Sequence, residues 1–223
     1  PFWSHWRSRA ASPRGNTELS RVTHYIFAML FMTSDEHYGH RNIIQFCARP
    51  FVDVPTMNEG LIAAHNATVC QDDDVWHLGD FAMTRSVAAV ATILSRLNGR
   101  HHLVMGNHDV CHPCHGGSAE HRRDQYLAAG FVQVVERAWL DLPAPLGRTM
   151  LCHMPSVSTQ FDERYSEYRP KPEELTGMWL IHGHVHTQWR VRNQEKLINV
   201  GVDVWNYRPV SIDQIVAAAS GPA

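Results

Sequence analysis

The chain lacks any apolar run approaching the ~18 residues that a membrane-spanning helix needs; its longest candidate, Tyr25–Met32, has the length of a strand. We therefore expect no membrane partner. It also lacks a charge imbalance: formal net charge is -2 at pH 7, with acidic and basic residues interspersed. No global basic field marks a nucleic-acid binder, and a clear nucleic-acid groove is not visible, although a local one is compatible with this balance. Cysteine is sparse and odd in number, five in 223 residues, and its spacing suggests no disulfide framework. A reduced, cytoplasmic setting fits that usage best. Internal repeats and low-complexity stretches are missing as well. A chain of this length folds by default as one domain with a sizeable core.

What stands out by abundance is histidine, 16 residues in all. Several fall in five short polar segments: Asp35-Glu36-His37, Gly79-Asp80, Gly106-Asn107-His108-Asp109, Cys152-His153 and Gly183-His184-Val185-His186. Each follows an apolar run that reads as a strand, respectively Tyr25–Met32, Val75–Leu78, Leu103–Met105, Met150–Leu151 and Trp179–Ile181. Polar ligands at the C-terminal mouths of core strands are the usual plan of an α/β active site, because loops there gather side chains on a rigid frame. Carboxylate, amide and imidazole groups in these segments are the ligand types that a pair of divalent metals requires. Mixed oxygen and nitrogen ligation without thiolate suits Mn, Fe, Zn or Ni better than Ca.

Between these segments the pattern predicts helices over Arg41–Cys47, Met57–Val69, Arg85–Leu97 and Glu120–Ala129, the third stopped by Asn98-Gly99 and the fourth by Gly130. Ser211 caps a last helix, Ile212–Ala219. Strand and helix alternate, which is the α/β class. In the later half, strands at Val132–Val135, Ala138–Leu140, Thr149–Leu151, Met178–Ile181, Trp189–Arg192 and Lys196–Asn199 lie too close for a helical crossover between every pair. Part of the sheet system must therefore be antiparallel.

The order and spacing of the five segments resemble the calcineurin-like metallophosphoesterases, whose pattern is D-x-H, G-D, G-N-H-D or G-N-H-E, a lone His, then G-H-x-H. The resemblance runs from about Met29 to about Ile215 and includes Gly39-His40-Arg41-Asn42-Ile43-Ile44 and Asn199-Val200-Gly201-Val202-Asp203-Val204-Trp205. It is to a small, single-domain bacterial and phage branch. It implies two mixed β-sheets packed as a sandwich flanked by helices. It also implies two divalent metal ions, the first held by Asp35, His37 and His186, the second by Asn107, His153 and His184, with Asp80 bridging both. Such a pair binds the phosphoryl oxygens of an ester and lowers the pKa of a bridging water. His108 would face the leaving group as general acid or as a hydrogen bonder, and Asp109 would bond its other nitrogen, fixing the tautomer and raising its pKa.

The expected activity is metal-dependent hydrolysis of a phosphodiester or phosphomonoester by attack of a hydroxide bridging the metals, on a small phosphate-ester substrate such as a cyclic nucleotide. The alternatives are a nuclease acting on DNA or RNA ends and a non-catalytic binding module of the same fold. His40 is an expected substrate contact, as are Arg164 and Tyr165 in the polar segment Pro155–Thr176, whose ends adjoin two metal motifs. A plain surface excursion is the competing reading of that segment. Glu36 should point away from the ligands along the extended chain, His182 should pack behind them, and His77, His65, His101 and His102 should be core or surface residues. Cys111-His112-Pro113-Cys114-His115 matches a haem-attachment spacing, but an ordinary loop is favoured over haem or an accessory zinc clip. The stretch 1–24 reads as an N-terminal extension without a secretory core, ahead of a domain over 25–220, and the minimal protein is expected to begin near Met29.

Overall fold

A computed structural model describes residues 28–157 and 163–221, the side chains of residues 163 and 164 excepted. The expected N-terminal extension, and the opening residues of the expected Tyr25–Met32 strand, lie outside the described residues. Strands β1 (Leu30–Thr33), β2 (Asp74–His77) and β3 (Arg100–Val104) pair in parallel, and β4 (Gln133–Val135) continues the same direction beside β3. Between them run α1 (Arg41–Phe46), α2 (Val54–Asn66), α3 (Val87–Leu94) and α4 (Ala119–Ala128). The second sheet is built from β5 (Arg137–Leu142), β6 (Gly147–Cys152), β7 (Trp179–His182), β8 (Val191–Arg192) and β9 (Leu197–Asn199). A short β10 (Val210–Ser211) returns antiparallel to β1, so the orders are β10-β1-β2-β3-β4 and β5-β6-β7-β9-β8. In the second sheet β5 and β8 are antiparallel edges on a parallel centre. The expected α/β class and the two mixed sheets are both present.

The strands alternate sides with the period of two that a pleated backbone imposes. Leu30, Met32, Trp76, Leu78 and Val104 of the first sheet meet Leu151, Ile181, Ile198 and Val200 of the second in one buried layer. The last helix, α5 (Ile212–Ala219), adds Ile212 and Ile215 to this layer. Its start is set by Ser211, whose side chain accepts from Gln214 N while the Gln214 side chain answers the Ser211 N–H. On the outer face of the first sheet, Met57, Leu61 and Ile62 of α2 and Val90 and Leu94 of α3 pack with Leu103, Tyr126 and Phe131. Helix α2 begins earlier than periodicity suggested, because Asp53 caps it by accepting from Thr56 N and Pro55 fits the first turn.

The outer face of the second sheet carries no α-helix among the described residues. Met150, Cys152, Leu180 and Leu197 are covered there by Tyr165, Tyr168 and Leu175, from the 3-10 turns Glu163–Tyr168 and Pro172–Leu175. The described part of the Pro155–Thr176 segment is thus a packed layer rather than a surface excursion.

Candidate metal centre

All the parallel strands end at one rim, where Asp35 follows β1, Asp80 follows β2 and Asn107 follows β3. His153 follows β6, and His184 and His186 follow β7. Backbone bonds zip the first loops together: Asp35 N donates to Gly79 O at 3.0 Å and His37 N to Asp80 O at 3.0 Å. Asp35 (φ 59°), His37 (φ 53°), Asp80 (φ 56°), His184 (φ 71°) and His186 (φ 49°) all adopt the left-handed region. For residues with a Cβ that conformation costs about 1–3 kcal/mol each, and it persists only where the surroundings over-determine it. The loops also approach too closely for side chains at Gly79, Gly106 and Gly183. A Cβ on Gly183 would overlap Ser34 Oγ and lie 2.6 Å from Asp35 Oδ2, and one on Gly106 would overlap the Asp80 side chain.

Every expected ligand arrives at this rim. One donor atom each from Asp35, His37 and His186 lies within 4.8 Å of the others, and the same holds for Asp80, His153 and His184. Asn107 Oδ1 stands 3.2 Å from His153 Nε2. Asp80 sits between the groups, with Oδ2 3.5 Å from His37 Nε2 and 3.4 Å from His153 Nε2. The side chains fit metal ions chemically as well as by distance. His37 is buried, yet neither of its ring nitrogens has a hydrogen-bond partner, an arrangement that a protein interior rarely tolerates unless the nitrogen serves as a ligand.

The charges of the centre are set by mutual compensation. Burial opposes the Asp80 carboxylate, but His153, His37 and His108 outweigh it and hold the group well below the usual carboxylate range. Burial opposes the His153 cation too, and the Asp80 charge lifts it to about 9. For His37 burial dominates and drives the imidazole well below its ordinary value. For His186, Asp35 and Asp203 overcome burial and raise it well above. His153 Nδ1 donates to Leu78 O at 2.7 Å, which leaves Nε2 to face Asp80.

His108 lies at the mouth, its side chain 36 % exposed, with Nε2 4.0 Å from Asp80 Oδ2 and its backbone N donating to Asp80 Oδ1 at 2.8 Å. The expected bond from Asp109 to its ring is not formed. Asp109 is fully buried, and its carboxylate accepts instead from the N–H groups of Gly106 (2.8 Å), Asp80 (2.9 Å) and Phe81 (3.1 Å). The tight turn after Gly106 aims this side chain under the β2 loop, where three converging amides are its stronger partners. Burial and the Asp80 charge raise its pKa to about 7 against the pull of those amides.

His40 is partly exposed beside His37, with ring centroids 5.2 Å apart, and Tyr165 stands edge-on to His184 at 6.4 Å. The side chain of Arg164 lies outside the described residues. Glu36 points away from the ligands as expected: Oε1 lies 2.6 Å from His77 Nδ1, and His77 Nε2 lies 3.0 Å from His101 Nδ1. His182 packs behind the site with its Nδ1 near Gly183 O and its Nε2 accepting from Trp189 Nε1. Among the described residues no metal-holding group includes Cys111 or Cys114. That loop steadies the centre instead, since Cys114 Sγ and His115 Nε2 both approach the Asn107 carbonyl, at 3.6 and 3.0 Å. Sequence reading passed over Arg49, which is buried and bonds Asp203 and the carbonyls of Asp35 and Glu36. Its signal was the basic residue just beyond α1, and only Asp203 lay inside a noted motif.

Comparison with known proteins gives the same picture. The chain is 32% identical over 195 residues to an uncharacterised protein of Methanocaldococcus jannaschii, covering 84% of this chain and 89% of that one. It is 29% identical to the gene 66 protein of Mycobacterium phage L5, over 83% of this chain and 91% of the phage protein. The crystal structure of a protein of unknown function from Aquifex aeolicus superposes with a TM-score of 0.64 at 26% identity, covering 86% of this chain and 100% of that one. The profile of the calcineurin-like phosphoesterase superfamily domain matches residues 30–210. With that match running from β1 to β10 across both sheets and every strand-end ligand segment, the chain belongs to the calcineurin-like phosphoesterase superfamily.

Proposed function

We propose that this chain hydrolyses a small phosphate ester, a phosphodiester or phosphomonoester with cyclic nucleotides as the first candidates, using two divalent metal ions. The observation that carries the reading is Asp80, whose carboxylate lies between the Asp35–His37–His186 group and the Asn107–His153–His184 group. Metal ions held by these groups would bind phosphoryl oxygens and make water nucleophilic at neutral pH. Mn, Fe, Zn or Ni suits the donor set.

The protein's own groups then have distinct tasks. Asp80 keeps its negative charge because three imidazoles surround it. His108, at the solvent-facing mouth, is placed to give a proton from its ring to the departing oxygen. His40 stands beside His37 and Tyr165 beside His184, where each could contact the ester's substituents. The loop frame contributes rigidity, so these groups need not reorganise as charge develops.

A substrate panel on metal-reconstituted protein tests the proposal. It compares a bis-aryl phosphodiester, an aryl phosphomonoester, 2′,3′- and 3′,5′-cyclic nucleotides and single-stranded DNA. We expect metal-dependent turnover of at least one small ester, abolished by Asp80→Ala. Protein that takes up metals but turns over no member of the panel would overturn it, and preference for the DNA would favour a nuclease.

A further inference from the structure

The support of the first ligand group converges on a single buried ion pair. Arg49 Nε donates to Asp203 Oδ1 at 2.8 Å and its Nη2 to Oδ2 at 3.0 Å, with both side chains 0 % exposed. The same guanidinium reaches the backbone of the first loop: Nη2 donates to Asp35 O at 2.7 Å and Nη1 to Glu36 O at 2.8 Å. Those two carbonyls lie within Asp35-Glu36-His37, the segment whose first and last residues are in the left-handed region. On its other side, Asp203 Oδ2 lies 3.1 Å from His186 Nδ1. With Nδ1 committed to Asp203, the nitrogen that remains for Asp35 and His37 is Nε2.

One guanidinium–carboxylate pair therefore touches the backbone of Asp35, that of Glu36 just before His37, and the ring of His186. Asn107 and His153 rest on other contacts, with Cys114, His115 and the Leu78 carbonyl. His184 N donates to Asp35 Oδ1 and Oδ2 at 3.0 and 2.9 Å and so ties the second group to the first. Cys47, His186 and Asp203 also lie close enough to hold a cation. Both oxygens of Asp203 are already occupied by the Arg49 fork, whose permanent charge opposes a metal there. The cluster is better suited to orienting ligands than to being a site itself.

We propose that Arg49 and Asp203 are positioning residues for the first metal, reaching the second only indirectly through the Asp35 carboxylate. This inference rests on the two-metal reading above. The Arg49 fork holds the strained turn of Asp35 and His37, and Asp203 fixes the tautomer and tilt of His186. Weakening the pair should detach the first metal while the second stays. Removing one partner outright would leave a buried charge uncompensated, so conservative variants are the informative ones.

The test uses the full chain as wild type, Arg49→Lys and Asp203→Asn, each loaded with Mn²⁺ alone, dialysed and assayed by elemental analysis and calorimetric titration. Wild type should hold about two metals per chain. In both variants one binding step should weaken by about 10–100-fold while the other changes far less. Position is read by combination: added to His153→Ala, either substitution should remove most of the remaining metal, and added to His37→Ala it should change little further. Melting of the metal-free proteins separates this from a general structural role, which would lower stability and weaken both steps together. Both steps falling in parallel, or neither moving, overturns the proposal while the two-metal reading stands. Wild type binding fewer than two metals overturns that reading and this proposal with it.

Discussion

His108 and Asp109 are adjacent in the chain and have opposite fates. His108 is at the mouth and Asp109 is sealed beneath the loops. If His108 is the acid, His108→Ala should keep both metals and lower kcat by a factor of about 10²–10⁴. The loss should be smallest for nitrophenolate, which departs without protonation, and largest for a ribose alkoxide. Equal losses across leaving groups would point instead to electrostatic stabilisation of the phosphoryl oxygens. Asp109→Asn should behave differently from an orienter of that ring. Its amide offers one acceptor oxygen to a site where three N–H groups now converge on two. We expect a stability loss of about 1–3 kcal/mol, seen in thermal melts, and no dependence on leaving group. The presence of Asp109 beside His108 was legible in the sequence; the direction of its carboxylate was not, because adjacency along a tight turn does not determine which loop a side chain meets.

At the scale of the elements, the period of two explains where Glu36 and the non-ligand histidines go. His77 on β2 and His101 on β3 both face the helix side, where the His65 ring of α2 lies 5.6 Å from His101 and Phe81 and Phe131 close the layer. Burial pushes Glu36 up to about 8 and His77 down to about 3. Burial thus works against the charged form of both partners of this 2.6 Å contact. The sign for stability follows. The folded chain keeps the Glu36 proton over a range in which the unfolded chain has lost it, so the Glu36 contribution to stability falls as pH rises from about 4.5 towards about 8, while His77, kept neutral in the folded chain, contributes in the opposite sense between about 3 and about 6.5. Glu36→Gln keeps the shape and a donor, and should flatten that part of the pH profile while leaving neutral-pH melting close to wild type. Glu36→Ala leaves His77 Nδ1 without its partner and should lower stability by about 1–3 kcal/mol. A Glu36→Gln profile as steep as wild type would show that another group titrates there.

For the whole molecule, metal uptake and protonation compete. In the metal-free protein His153 carries a proton up to about 9, held by Asp80. That ion pair stabilises the metal-free fold fully below about 6.5, and its contribution is lost as pH rises through about 9. A metal needs the neutral imidazole, so uptake must expel this proton and affinity must increase with pH across the same window. Titrating Mn²⁺ at several pH values, in buffers of different ionisation enthalpy, should show tighter binding and fewer protons released towards alkaline pH. Melting temperature should rise with metal concentration because the ion binds the folded state. Proton release that does not change with pH would remove His153 from the ligand set.

The sequence by itself determined the residue types of the candidate ligands, their order and their places at strand ends, since an apolar run followed by a polar turn is a local pattern that each segment carries alone. It determined the α/β class and the start of α5 at Ser211 for the same reason. Only the tertiary structure decided that Asp80 stands between two groups, that Asp109 turns inward, and that, among the described residues, 3-10 turns rather than helices cover the outer face of the second sheet. Only it joined Arg49 to Asp203, 154 positions away in the chain. Hydrogen bonds and charges act over a few ångströms of space. The partners of a side chain are therefore settled when loops from two sheets converge on one rim, and no periodicity along the chain records that meeting.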